Sequence, residues 1–80
     1  MKVTLYSKPN CPYCDKVKNF IKENNISGVE YDENQNVTEV RKFNGMQFPM
    51  LKVVDLESSE EQGIFESEVI IQVLGQIFGK

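Results

Sequence analysis

The chain has no histidine and no tryptophan, only two cysteines, and no tract of low complexity. Without histidine, a tetrahedral zinc site would have to be built from the two cysteines and carboxylates, and no carboxylate has a suggestive spacing. No apolar run approaches the ~20 residues that span a bilayer, and the start MKVTLYS lacks the apolar core of a secretory signal. Two cysteines three positions apart are also a poor staple for a secreted mini-domain. The expectation is a soluble, cytoplasmic protein that acts away from membranes. An excess of positive charge is missing too. The net charge of −3 argues against a nucleic-acid partner, whose binding rests on clustered Lys and Arg. Lys16, Lys18 and Lys22 do cluster, at the spacing of a solvated helix flank.

What is present is ordinary for a globular chain: 80 residues, 40% apolar and 26% charged, enough for one small domain over residues 1–80. Residues 2–6, Lys-Val-Thr-Leu-Tyr, alternate polar and apolar and predict a strand. From Cys11 to Asn24-Asn25, the positions Tyr13, Cys14, Val17, Phe20 and Ile21 recur at helical spacing, with Ser27-Gly28 as the stop. Val29-Glu30-Tyr31 reads as a short strand. Asn36 and Glu39 have the spacing of a capping box, followed by a stripe of Val37, Val40 and Phe43 and a stop at Gly45. Residues 50–54 predict a buried strand, 55–62 an acidic turn and 63–65 a returning strand. Val69, Ile70, Val73, Leu74, Ile77 and Phe78 lay out one wide apolar helix face. The order is β-α-β-α-β-β-α. Its first unit demands parallel strands with a right-handed crossover, and its last two strands an antiparallel pair. An α/β fold follows, with a mixed four-stranded sheet flanked by three helices.

The cysteines of SKPNCPYCDK fall where the first strand hands over to the first helix. Asn10 is a good N-cap, and Pro12 suits the first helical turn. Cys11 then sits at the positive helix end, where free N–H groups and the macrodipole stabilise a thiolate, with Lys8 adding charge. Thiols in such places have pKa values of roughly 3.5–7.5, against about 8.5 for a free cysteine. Cys14, one turn further on the apolar face, is expected to be buried and Cys11 exposed. Helix positions i and i+3 lie about 5–6 Å apart at Cβ. A disulfide needs about 3.5–4.5 Å. A redox couple is therefore the favoured reading; a metal half-site and an inert disulfide stay open beside it.

With these residues in place the chain resembles the glutaredoxins of the thioredoxin-like fold, over essentially all 80 residues in element order. SKPNCPYC matches their Ser-Lys…Cys-Pro-Tyr-Cys pattern. Gln47-Phe48-Pro49 stands where they carry Thr-Val-Pro with a cis proline, and Phe65-Glu66-Ser67-Glu68 opens the last helix. The resemblance implies a thiol–disulfide oxidoreductase with glutathione as co-substrate and no metal. Cys11 is then the nucleophile and Cys14 the resolving thiol. Lys8 holds the glycine carboxylate of glutathione, and Tyr13 forms a groove wall. Phe48, beside Pro49, offers its backbone to the cysteinyl unit, while Glu66 and Ser67 hold the γ-glutamyl end. Ser67 is expected to double as a helix cap. The implied partners are glutathione and disulfide-containing or glutathionylated proteins, met by a monomer.

The chain departs from the family in three places. Ile64 and Phe65 replace a usual Gly-Gly, Gln47 replaces Thr, and the turn carrying Glu57, Glu60 and Glu61 is long. The Glu-Ser pair resembles the glutathione-binding half of glutathione transferases instead. Two other functions compete with the leading one. One is a thioredoxin-like reductant recharged by a flavoprotein reductase. The other is a module that binds an iron–sulfur cluster between two copies through Cys11 and glutathione.

Overall fold

The computed structural model describes residues 1–80. Its seven elements follow the expected order: β1 (Lys2–Tyr6), α1 (Pro12–Glu23), β2 (Val29–Asp32), α2 (Val37–Lys42), β3 (Met50–Val54), β4 (Glu61–Phe65) and α3 (Ser67–Phe78). The strands form one sheet in the order β2-β1-β3-β4. β1 runs parallel to β2, with Leu5 beside Tyr31, and antiparallel to β3, with Leu5 beside Leu51. β3 and β4 are antiparallel, with Met50 opposite Phe65.

The period of two along β1 and β3 sorts their side chains onto two faces. Val3, Leu5 and Leu51 point to one side, where Val17 and Ile21 of α1 and Ile70 and Leu74 of α3 complete a buried cluster. Tyr6 and Met50 point to the other, where Val40 of α2 closes a smaller cluster flanked by Phe43, Phe48 and Phe65. No helix is long and apolar enough to cross a membrane.

The helix ends differ from the sequence expectation in instructive ways. α1 stops at Asn24, before Ser27-Gly28, because Asn25 adopts the left-handed conformation (φ 53) that glycine was expected to supply later. The N–H groups of Asn25 and Ile26 then donate to the carbonyls of Lys22 and Ile21, which closes a Schellman motif. At the start of α1 the N-cap is Cys11, not Asn10. Asn10 instead turns the chain into the helix with a φ of 56.

In α2 only half of the capping box forms. Asn36 Oδ1 accepts from the Glu39 N–H at 3.3 Å, but the Glu39 carboxylate turns to Lys42 (2.6 Å) and to Lys52 on β3 (3.2 Å). Val37 is exposed, so the apolar stripe reduces to Val40 and Phe43. β4 starts at Glu61, two residues before the expected Gly63. Lys16 and Lys18 of the basic flank make ion pairs with Glu68 and Glu33.

Candidate active site

The site grows from the C-terminal end of β1. The Ser7 N–H donates to Asp32 O (2.8 Å), and Ser7 O accepts from the Gln35 N–H (3.2 Å), so the segment after β1 is pinned to the segment after β2. Lys8, Pro9 and Asn10 are exposed on this turn and lead into Cys11. Pro12 occupies the first helical position, where its missing N–H leaves nothing unpaired. Cys11 has extended backbone angles, and its Sγ accepts from the Cys14 N–H at 3.2 Å. The Cys11 sulfur thus takes over the capping role expected of Asn10.

Cys11 and Cys14 are joined in a disulfide, with Cα atoms 5.2 Å apart. Cys14 is fully buried as expected, but Cys11, expected to be exposed, is only 5% exposed. Its N-cap position turns Sγ inward over the first turn of α1 rather than out to solvent. A smaller asymmetry between the two remains, since only Cys11 touches solvent.

The β1–β3 register sets Met50 opposite Tyr6, so Pro49 and Ser7 leave the sheet at the same end. The Phe48–Pro49 peptide is cis, Pro49 is buried and Phe48 half-buried. Neither the N–H nor the C=O of Phe48 has a backbone partner within the chain. Beside this loop lies a cavity of about 210 Å³ whose lining includes Lys8, Gln35, Val40, Arg41, Gln47 and Phe48. Lys8 and Phe48, expected together from the sequence, meet here. Tyr13, Glu66 and Ser67 lie outside the lining, with Tyr13 exposed on the first turn of α1.

Glu66 and Ser67 form the start of α3, but the cap position falls one residue earlier than the expected Ser67. Glu66 is the N-cap and Ser67 the first helical residue, buried and not the cap. The Glu66 side chain makes no capping bond. The first three N–H groups of α3, from Ser67 to Val69, therefore have no backbone partner, and they stand at the positive end of the helix.

Arg41 is the residue that sequence reasoning missed. Five of the nine basic residues, Lys2, Lys16, Lys18, Lys42 and Lys52, are held in ion pairs. Of the four left over, Lys8 and Arg41 line the same cavity. Arg41 was not singled out in the sequence; its lack of a carboxylate partner is visible only in three dimensions. Beneath α2, hydrogen bonds from Lys42 and then Lys52 hold the Glu39 carboxyl below its usual range, against the opposing effect of burial. Burial pulls Lys52 down, but hydrogen bonds to Glu61 and Glu39 outweigh it and leave Lys52 raised. Burial raises the Tyr6 phenol as well. No group of three or more His, Cys, Asp and Glu side chains is arranged to hold a metal ion.

With the disulfide, the cis-proline loop and the cavity in view, comparison with known proteins decides the family. The Glutaredoxin family model matches residues 3–58. The chain belongs to the glutaredoxin family.

Solved structures with the same thioredoxin-like fold include glutathione transferases. The unique trimeric glutathione transferase TDR1 of Leishmania superposes with a TM-score of 0.66 and 22% identity, over 91% of this chain and 17% of that one. The Omega 2S and Omega 2C glutathione transferases of Trametes versicolor each give 0.70. Their identities are 16% and 17%, over 98% of this chain and 37% and 38% of theirs. This glutaredoxin-family chain thus spans well under half of each transferase, and at these identities the likeness is one of fold. It reaches into the segment beyond residue 58, where the family match ends and the Glu66–Ser67 turn lies. No curated protein sequence matches the chain.

Proposed function

We propose that the chain is a glutathione-dependent thiol–disulfide oxidoreductase acting through Cys11 and Cys14. The observation that carries this reading is the Cys11–Cys14 disulfide at the N-terminus of α1, on the turn whose Lys8 lines a cavity together with a second unpaired cation, Arg41; the cysteines themselves are not in that lining. In the reduced protein the Cys11 thiolate attacks a protein–glutathione disulfide. A Cys11–glutathione disulfide forms, and the protein substrate leaves as its thiolate. A second glutathione thiolate then attacks the glutathione sulfur, which forms oxidised glutathione and returns the Cys11 thiolate. With a protein disulfide as substrate, Cys14 instead attacks Cys11 in the mixed disulfide, closing the bond seen here and releasing the reduced protein.

Each end of glutathione finds matching chemistry. The glycine carboxylate suits Lys8 and Arg41. The cysteinyl unit suits the open N–H and C=O of Phe48, as an added strand would. The γ-glutamyl carboxylate suits the free N–H groups at the start of α3, and its amino group the Glu66 carboxylate. Tyr13 walls the groove on the α1 side. A couple that cycles against glutathione fits a reducing compartment such as the cytoplasm, and the domain is read as working alone, as a monomer.

The test is reduction of the Cys11–Cys14 disulfide by glutathione, followed by thiol titration, with Cys11→Ser and Cys14→Ser assayed on a glutathionylated peptide. Cys11→Ser should lose all activity, and Cys14→Ser should keep the glutathione-resolved route. Full activity in Cys11→Ser would refute the mechanism. A disulfide that a flavoprotein thioredoxin reductase opens and glutathione does not would instead establish the thioredoxin-like alternative.

A further inference from the structure

We propose that Phe65 is a positioning residue that fixes the spacing between the two walls of the glutathione groove. The inference rests on the function proposed above and concerns a residue that lies beyond the stretch matched by the family model.

Phe65 ends β4 and pairs with Met50, the residue after Pro49. Its ring lies so close to Gly45 that a Cβ there would stand 2.0 Å from Phe65 Cε1 and 2.1 Å from Cζ. A reciprocal contact lies one step along. A Cβ on Gly63 would stand 2.6 Å from both Cβ and Cγ of Phe43. Neither glycine has a positive φ, so what each supplies is space for a ring and not a backbone conformation. Two rings from opposite segments therefore interlock across two glycines, above the cluster of Tyr6, Val40 and Met50.

The gripped segment, residues 43–48, joins α2, which carries Arg41, to Phe48 and the cis proline. The residue that follows Phe65 is Glu66, which opens α3. One side chain thus links the wall that would take the cysteinyl and glycyl units to the wall that would take the γ-glutamyl unit. A ligand that spans both walls is sensitive to their separation, and shifts on the order of 1 Å in a supporting element cost heavily. The Cys11–Cys14 pair stands on α1, outside the interlock, so its chemistry toward a small thiol does not depend on it.

The experiment compares wild type, Phe65→Leu, Gly45→Ala and the double variant. It reads KM and kcat for glutathione, the rate of disulfide reduction by dithiothreitol, and thermal midpoints. Gly45→Ala, by forcing the ring and loop apart, should raise KM for glutathione about tenfold. Its kcat and its rate with dithiothreitol should stay within about twofold, and Phe65→Leu added to it should restore most of the lost affinity. Phe65→Leu alone should raise KM more modestly, and it serves as the readout if Gly45→Ala does not fold. Variants that lose thermal stability with KM unchanged, or a double variant no better than Gly45→Ala, would overturn the proposal. A wild type that glutathione does not reduce would refute the function reading itself and this role with it, an outcome visible before any variant is compared.

Discussion

Glu66 holds a backbone conformation that residues with side chains rarely adopt, φ 70 and ψ 125, at the first turn of a helix it does not cap with its side chain. Such a conformation costs about 1–3 kcal/mol. Glycine would relieve it, at a cost of about 0.4–1 kcal/mol for its freer unfolded chain. Glu66→Gly should therefore raise the thermal midpoint by a few degrees while weakening glutathione binding, because the carboxylate for the ligand's amino group is gone. Glu66→Ala should weaken binding without the gain. Calorimetry and an NMR titration separate the two effects, and binding unchanged in both variants would leave Glu66 a turn residue only. The sequence offered the candidate residues for this site, but two of its structural assignments differ from what the fold shows. Cys11 was expected to be exposed under an Asn10 cap, yet a sulfur lone pair can cap a helix, and Cys11 does so. Ser67 was expected to cap α3, but the turn places Glu66 at the cap and Ser67 one residue inside.

Among the elements, α2 depends most on its surroundings, since six residues are far below the length at which a helix is stable alone. Asn36 starts it, Val40 plugs it into the sheet, and the Glu39 carboxylate ties it to Lys52. The groups that face Glu39 are Lys42 on its own helix and Lys52 on β3, with Glu61 and Tyr6 beyond Lys52. Because the folded protein holds the Glu39 carboxyl below its unfolded value, its ion pairs stabilise the fold above the unfolded pKa. That contribution fades as pH falls through the lowered folded value. Glu39→Gln should lower the thermal midpoint by roughly 5 °C at pH 7, and the gap to wild type should narrow as pH falls below the ordinary glutamate value of 4.5. A gap that persists in acid would mean that packing, and not charge, holds α2. All seven elements and their order were readable, because periodicity separates 3.6 from 2 even in a chain this short. What escaped was whatever depends on a distant partner. Glu39 was expected to complete a capping box, and a lysine on another element drew its carboxylate away. The first residues of β4, Glu61 and Gln62, carry no apolar alternation because they sit on an exposed edge. Arg41 became a site residue only once its neighbours in the fold were known.

At the scale of the whole molecule, the net charge of −3 and the cationic cavity pull an anionic ligand in opposite directions. The unpaired acids of the β3–β4 turn, Asp55, Glu57 and Glu60, lie at the far end of β3 from Pro49, and five residues at ~3.3 Å each set them about 16–20 Å away. In water each would repel a carboxylate in the cavity by about 0.2 kcal/mol at that range, whereas Lys8 or Arg41 at ~4 Å would attract it by about 1 kcal/mol each. Local attraction exceeds distant repulsion severalfold, and at ~0.15 M salt the Debye length of about 8 Å removes the distant part first. Oxidation of the reduced protein by glutathione disulfide should therefore slow several-fold between ~0.02 and ~0.5 M salt, while oxidation by the uncharged hydroxyethyl disulfide stays level. In Lys8→Gln/Arg41→Gln the salt dependence should vanish or reverse, because only the acidic background remains. Stopped-flow fluorescence or acid-quench kinetics measure both disulfides in one series. A wild-type rate with glutathione disulfide that rises with salt would show that the molecule's net charge governs the encounter, and that the two free cations in the cavity serve something other than an anionic ligand.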